Sequence, residues 1–369
     1  MYHMIHFYEL FLNSFGEPNA LHNYMVFSLI CIISIPIMAS VQLVIHEVGH
    51  CIFGLLTGFQ FIFIRIGSIT LIKREGKIII KRHSLPGSAG QCLMRPAGAS
   101  FPVLQEASDC LDGFININYR YGFYMMGGII LNIIMSAMML ILAFSSFDIS
   151  ISIRFSLLLG TFYGLGYALI NGIPNTKGKI NNDATNFFYL RKDPLAKICG
   201  FIQMSILPYM ITGYTYKNFP NDMMKVPKGA DLSNAIIGWH KLNECYYLMD
   251  LRQWENAEDC LKEFDPYLDR LSRMLKETVL LETLFINIKI GKRSSVIEDL
   301  YHILKPVLSN KKADFHITRV RMAYELYKDK SDINIEKVRF ELDRITQNYS
   351  NIGEADFCYR LIKDIIIPG

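Results

Sequence analysis

His46 and His50 stand four residues apart with Glu47 between them, in the run His46-Glu47-Val48-Gly49-His50. On a helix, residues at that spacing project from one face about one turn apart, which suits two imidazoles to one metal ion. The glutamate between them then reaches a water on that metal. The surroundings make the pattern informative: Met25 to Ile45 is almost wholly apolar, and Cys51 to Leu56 continues in the same vein. Ionisable groups at membrane depth are costly and usually mark a working site. Zinc is the expected cofactor. The competing expectation is a pair of histidines packed against polar groups of a helix bundle.

A zinc site needs a third protein ligand and an open position for water. By residue type the candidates are His83, Asp148, Asp183 and Asp193. Three spans are expected: Met25 to about Leu56, Tyr121 to Phe144, and Ile153 to Ile173, each near or above the ~20 apolar residues that cross a bilayer. The short loop Ser145 to Ser152 forces the second and third to run antiparallel. The segment after the first span is basic (Arg65, Lys73, Arg74, Lys77, Lys81, Arg82), so the positive-inside rule puts the N-terminus outside. His46 and His50 then lie toward the cytoplasmic end, and the third span returns Asn171 to Asp183 to that level. Asp148 falls on the opposite side, and His83 sits beside Arg82 in a solvated turn. Pro174 ends or kinks the third helix, and an interrupted helix at membrane depth is tolerated where it lines a cavity. Asp183 is therefore the expected third ligand.

The rest of the composition agrees with a membrane protein. Of 369 residues, 51% are hydrophobic and 20% charged, and the mean hydropathy is +0.22. A net charge of +4, without a basic patch interleaved with aromatics, argues against a nucleic-acid partner. The eight cysteines show no regular spacing, which suits a reducing or lipid environment better than a disulfide framework. Cys51 reads as a packing residue. No Lys or Arg precedes Arg65, so a standard signal peptide is not expected.

Five regions follow. Residues 1–24 form an extracytoplasmic segment, and 25–195 the membrane core, including a small membrane-associated β-sheet within 59–96. Residues 196–219 form either an amphipathic helix or a fourth membrane helix, and 220–369 a soluble helical array. In the sheet, Phe61 to Ile66, Ile69 to Ile72 and Lys77 to Lys81 read as strands around a Glu75-Gly76 turn. Helix pairs such as Tyr246 to Leu248 with Trp254 to Leu261 suggest irregular tetratricopeptide-like hairpins, whose concave face would dock a protein partner. The fold class is thus mostly α.

The chain resembles the site-2 protease family of intramembrane zinc metalloproteases. His46 to His50 is similar to its HExxH helix. Gly127-Gly128-Ile129-Ile130-Leu131-Asn132 is similar to its Gly-Gly-x-x-x-Asn segment, and Asn171-Gly172-Ile173-Pro174 followed by Asp183 to its Asn-x-x-Pro…Asp segment. The chain departs from the best-known members in a longer interval before Asp183 and in Ala184 where glycine is usual, and no PDZ or CBS segment is apparent. The resemblance implies that His46, His50 and Asp183 hold zinc and that Glu47 is the general base. It implies that Asn132 donates a hydrogen bond to the oxyanion or the substrate backbone. The substrate would be a membrane-anchored or signal-peptide-like chain, and Phe61 to Arg82 would offer a strand edge to its unwound segment. The alternative from another class is a non-proteolytic receptor or scaffold acting through its helical tail. A transporter is disfavoured by the few spans and the lack of inverted repeats.

Overall fold

A computed structural model describes residues 20–82, 88–96, 120–175, 181–309, 315–328, 340 and 351–366. The first element, α1 (Ala20–Leu56), runs for 37 residues. At 1.5 Å per residue it is about 55 Å long, well beyond a ~30 Å hydrocarbon core. Pro36 lies within it, and the Ser40 hydroxyl bonds the Pro36 carbonyl at 2.8 Å.

Two further helices, α2 (Tyr121–Ala143) and α3 (Ile151–Gly172), pack against α1 and each other. Glycine permits the closest approach. A Cβ on Gly49 of α1 would stand 2.5 Å from the Gly127 carbonyl of α2, so this crossing requires residues without side chains. Arg154 of α3 locks the α2–α3 turn, donating to the carbonyls of Ala143 (2.7 Å), Ser145 (2.9 Å) and Phe147 (2.8 Å). A guanidinium thereby satisfies carbonyls that the end of α2 leaves open.

The three helices turn large apolar side chains outward, among them Ile32, Leu56, Ile141, Phe162 and Ile170. Such a belt fits a membrane protein. Among the described residues four helices are long and apolar enough to cross a membrane, the fourth being α5 (Pro194–Ile211). Its environment is different: 61% of its apolar window is covered by protein, against 11%, 28% and 28% for the other three.

Between α1 and α2 lies an antiparallel sheet of β1 (Gln60–Ile66), β2 (Ile69–Arg74), β3 (Lys77–Arg82) and β4 (Gly90–Arg95), in the order β3-β2-β1-β4. Glu75 and Gly76 take φ of 50° and 78°, the left-handed pair that a tight two-residue hairpin needs. One face, carrying Phe63, Ile72, Ile79 and Leu93, packs on Leu207 and Ile211 of α5. Within the expected Phe61 to Arg82 stretch the edge falls on β3; β1 is central and paired on both sides, so among the described residues the edges are β3 and β4.

A short helix, α4 (Asp183–Lys192), precedes α5. After α5 come α6 (Ala235–Asp250), α7 (Trp254–Lys262), α8 (Arg273–Lys289), α9 (Ser294–Leu308), α10 (Phe315–Lys328) and α11 (Ile352–Ile366), each packed on neighbours in the series. Their core is continuous with the sheet and α2. Phe59, Cys92, Met94 and Tyr124 belong to the same buried cluster as Phe201 of α5, Leu242 of α6 and Phe357 of α11. Packing therefore runs without a break across the boundary expected between 195 and 220.

Candidate metal centre

The histidines of α1 meet Asp183, 137 residues away from His46 in the chain. The His46 Nε2 is 3.0 Å and the His50 Nε2 3.3 Å from Asp183 Oδ2, and the two Nε2 atoms are 3.2 Å apart. All three side chains offer a ligand atom within 4.8 Å of the others. Asp183 is brought there by its neighbour Asn182. The Asn182 amide donates to the Ile170 and Ile173 carbonyls, both at 2.6 Å, at the end of α3. Its oxygen caps α4, accepting from Thr185 N at 3.1 Å. Asp183 is thus the first residue of a new helix, where the N-terminal dipole favours an ionised carboxylate.

The far sides of both imidazoles are anchored. His50 Nδ1 donates to the Tyr124 carbonyl at 2.7 Å. A carbonyl cannot donate, so this nitrogen carries the hydrogen, and in the neutral ring Nε2 presents a lone pair. For His46 the same conclusion follows along a chain of amides. Gln42 Nε2 donates to the Gly160 carbonyl at 2.7 Å, which turns Gln42 Oε1 toward Asn132. Asn132 Nδ2 donates to that oxygen at 2.8 Å and to the Gln42 carbonyl at 3.0 Å. Asn132 Oδ1 is left to accept from His46 Nδ1 at 2.7 Å. Helices α1, α2 and α3 therefore jointly decide which nitrogen of His46 faces Asp183.

With both imidazoles neutral, two ring lone pairs and a carboxylate oxygen converge, a donor set that can hold a cation. The spacing suits one. A tetrahedral zinc with ligand bonds of ~2.05 Å sets its ligands about 3.3 Å apart. The three separations here are 3.0, 3.2 and 3.3 Å. Gly128 supplies the room, because a Cβ there would stand 2.6 Å from His46 Cε1 and 2.7 Å from His50 Nε2.

Glu47 is buried beside them, its carboxylate so close to Gly90 at the start of β4 that a Cβ at Gly90 would collide with it. Arg65, 2% exposed, holds that corner of the sheet. Its guanidinium donates to the carbonyls of Gly67 (2.9 Å) and Ser88 (3.1 Å) and to the Ser88 hydroxyl (2.8 Å). Tyr124 joins the same corner to the histidines, since its hydroxyl donates to the Cys92 carbonyl of β4 at 2.8 Å.

The other candidates lie elsewhere. Asp193 caps α5 through Leu195 N (2.9 Å) and Ala196 N (3.3 Å). Asp148 is in the α2–α3 turn, and His83 lies outside the described residues. Asn132 is in the site, but both amide hydrogens are engaged with Gln42, so it orients His46 and is not poised to meet an oxyanion. Asn171 bonds the Tyr167 carbonyl of its own helix at 3.1 Å. Sequence reasoning missed Gln42, Tyr124 and Asn182. Gln42 could have been found: it is one turn before His46 on the same face of an apolar helix, where an amide needs a reason.

No protein-family model, no curated protein and no solved structure matches the chain.

Proposed function

We propose that this chain is an intramembrane zinc endopeptidase, organised like the site-2 protease family that its motifs resemble. The reading is carried by one observation: two imidazole lone pairs and the Asp183 carboxylate converge at zinc-ligand spacing beside Glu47. His46, His50 and Asp183 would hold the ion. Zinc, when bound, supplies Lewis acidity and lowers the pKa of a coordinated water from about 16 to near 7. Glu47 is the proton carrier, taking a proton at its carboxylate as general base and returning it to the departing amine. Gln42 and Asn132 orient His46, and Tyr124 orients His50 and braces β4.

The substrate class is a membrane-anchored or signal-peptide-like chain, because the site lies among helices that fit a membrane protein. Such a segment must unwind before its carbonyls can react. Edge strand β4 begins at Gly90 against Glu47, so an extended substrate paired along β4 would pass the carboxylate. The basic β2–β3 segment favours a cytoplasmic position for the sheet and an outside N-terminus in the cell membrane. The helical series after α5 serves as a tetratricopeptide-like docking domain for a protein partner.

Glu47→Gln tests the mechanism. Cleavage of a single-span substrate should fall at least ~10²-fold, in the range for a lost general base. Zinc content by atomic emission should stay near one per chain. Full cleavage by this variant would overturn the mechanism, and wild-type protein purified without stoichiometric zinc would favour a scaffold.

A further inference from the structure

The face of the sheet turned away from α5 is covered at β1 and β4, where Ile64 packs on the core and Glu47 lies against Gly90, and is apolar and open along β2 and β3. Register places Lys73 opposite Ile78, Leu71 opposite Ile80 and Ile69 opposite Arg82. Ile64 and Ile66 of β1 continue the same face beside Leu71 and Ile69. Ile69, Ile78 and Ile80 are 52%, 56% and 69% exposed, so the outer two strands carry uncovered isoleucines. Lys73 bounds this strip at one end and Arg82 at the other. Over Ile69–Arg82 the chain places five cations (Lys73, Arg74, Lys77, Lys81, Arg82) against the single acid Glu75.

We infer that this strip is a docking surface for the anionic face of a lipid bilayer, with Ile69, Ile78 and Ile80 sunk among the headgroups and Lys73 and Arg82 on lipid phosphates. The placement follows from the helix that leads into it. Leu55 and Leu56, 54% and 73% exposed, end the apolar belt of α1 four residues before β1 begins at Gln60. Four residues span at most about 14 Å, so the sheet is tethered at the boundary of the bilayer that α1 would cross. Depth is set by the backbone. β3 is an edge strand, and unpaired backbone groups are not tolerated in hydrocarbon, whereas the hydrated headgroup zone accepts them. In that zone isoleucines gain an apolar surrounding while lysine and arginine extend to the phosphates.

Charge decides against a second copy on this face. Pairing two such strips would bring together cations at the strand ends, and lysine on an edge strand is a known deterrent to edge-to-edge pairing. The inference rests on α1 lying in a bilayer and does not depend on the proposed hydrolysis.

The full chain in nanodiscs tests it, with Ile80→Trp as a reporter; both native tryptophans, Trp239 and Trp254, lie in the helical domain. In phosphatidylcholine mixed with phosphatidylglycerol, the added emission should be blue-shifted and quenched by brominated lipid, more strongly than in phosphatidylcholine alone. Lys73→Gln and Arg82→Gln should each lower the bound-to-free ratio of the sheet by about five-fold. Ile78→Ser should weaken quenching in both lipids. The unsubstituted protein provides an independent reading, because hydrogen exchange of β3 should slow in the anionic nanodiscs and recover with added salt. Water-like emission in anionic nanodiscs, quenching indifferent to lipid charge, or a blue shift that grows with protein concentration in detergent would each overturn the inference. The last would identify a second copy as the occupant.

Discussion

Two buried polar centres in this protein use the same residue types for opposite ends. In the helical domain, Glu282 accepts from His316 Nδ1 at 3.2 Å, from Tyr246 at 3.2 Å and from Arg319 at 2.6 Å. His316 Nε2 meets a second carboxylate, Glu354, at 2.8 Å. Arg319 also stacks 4.1 Å from the Phe285 ring centre. Burial alone would raise the Glu282 carboxyl, but Arg319 and His316 hold it down to about 2. Burial alone would lower His316, but Cys358, Glu282 and Glu354 raise it well above the usual histidine range. Both ring nitrogens of His316 thus face groups that want a hydrogen, and the cluster is neutralised from within. At the membrane centre, the Nδ1 hydrogens of His46 and His50 are committed to Asn132 and Tyr124, and the opposite nitrogens face a carboxylate and each other. That centre offers three ligand atoms within 4.8 Å of one another, the set proposed to hold zinc. In both centres the second nitrogen of a histidine meets a carboxylate; the difference is that Arg319 sits on Glu282, whereas two imidazoles converge on the single Asp183 oxygen.

The largest test is to take a ligand or its space away. Asp183→Ala or Gly128→Ala should reduce zinc per chain to background by atomic emission, while the helical domain keeps its circular dichroism. Retention of stoichiometric zinc in Asp183→Ala would break the comparison at its root. Glu282→Gln is the converse experiment. It leaves Arg319 buried without its counter-charge, so unfolding by urea should be easier by about 3–5 kcal/mol with zinc content unchanged. Gln42→Ala releases the amide chain that fixes His46, and zinc affinity measured by chelator competition should drop about 10–100-fold. An unchanged affinity would reduce Gln42 to a packing residue.

Gly90→Ala separates the metal from the chemistry, since the new Cβ displaces the Glu47 carboxylate. Cleavage should fall while zinc remains. The smallest effect is on pH. Glu282 titrates from an ordinary 4.5 to about 2 on folding, so its contribution is present above pH 4.5 and lost as pH falls toward 2. His316 is raised from an ordinary 6.5, so its contribution is full below pH 6.5 and lost as pH rises through its folded value. Both are whole between pH 4.5 and 6.5. Urea midpoints followed by tryptophan emission should peak there, and Glu282→Gln should flatten the acid limb.

Much of the frame was legible in the residues because it is local. Hydropathy marked α1, α2 and α3, and β-branched runs around Glu75-Gly76 marked β1 to β3. β4 escaped because Gly90-Gln91-Cys92-Leu93-Met94-Arg95 has no β-branched residue, and it is a strand through its pairing with β1. The ambiguity over residues 196–219 also had a physical cause. α5 is apolar enough for lipid, but its surface is taken by the sheet, α6 and α11, and composition does not say which solvent covers a helix.

By itself the sequence determined that His46, Glu47 and His50 share one turn of an apolar helix, and that glycines stand where helices could touch. It also determined that a proline ends the third span ahead of an aspartate. Spacing and hydropathy act within a few turns, so these properties survive without a fold. Tertiary structure alone decided that Asp183 arrives at the histidines, that Asn132 turns to His46 and away from a substrate, and that β4, not β1, lies open beside Glu47. Those outcomes depend on hydrogen bonds between groups 74 to 137 residues apart, which exist only once three helices and a sheet have packed around them.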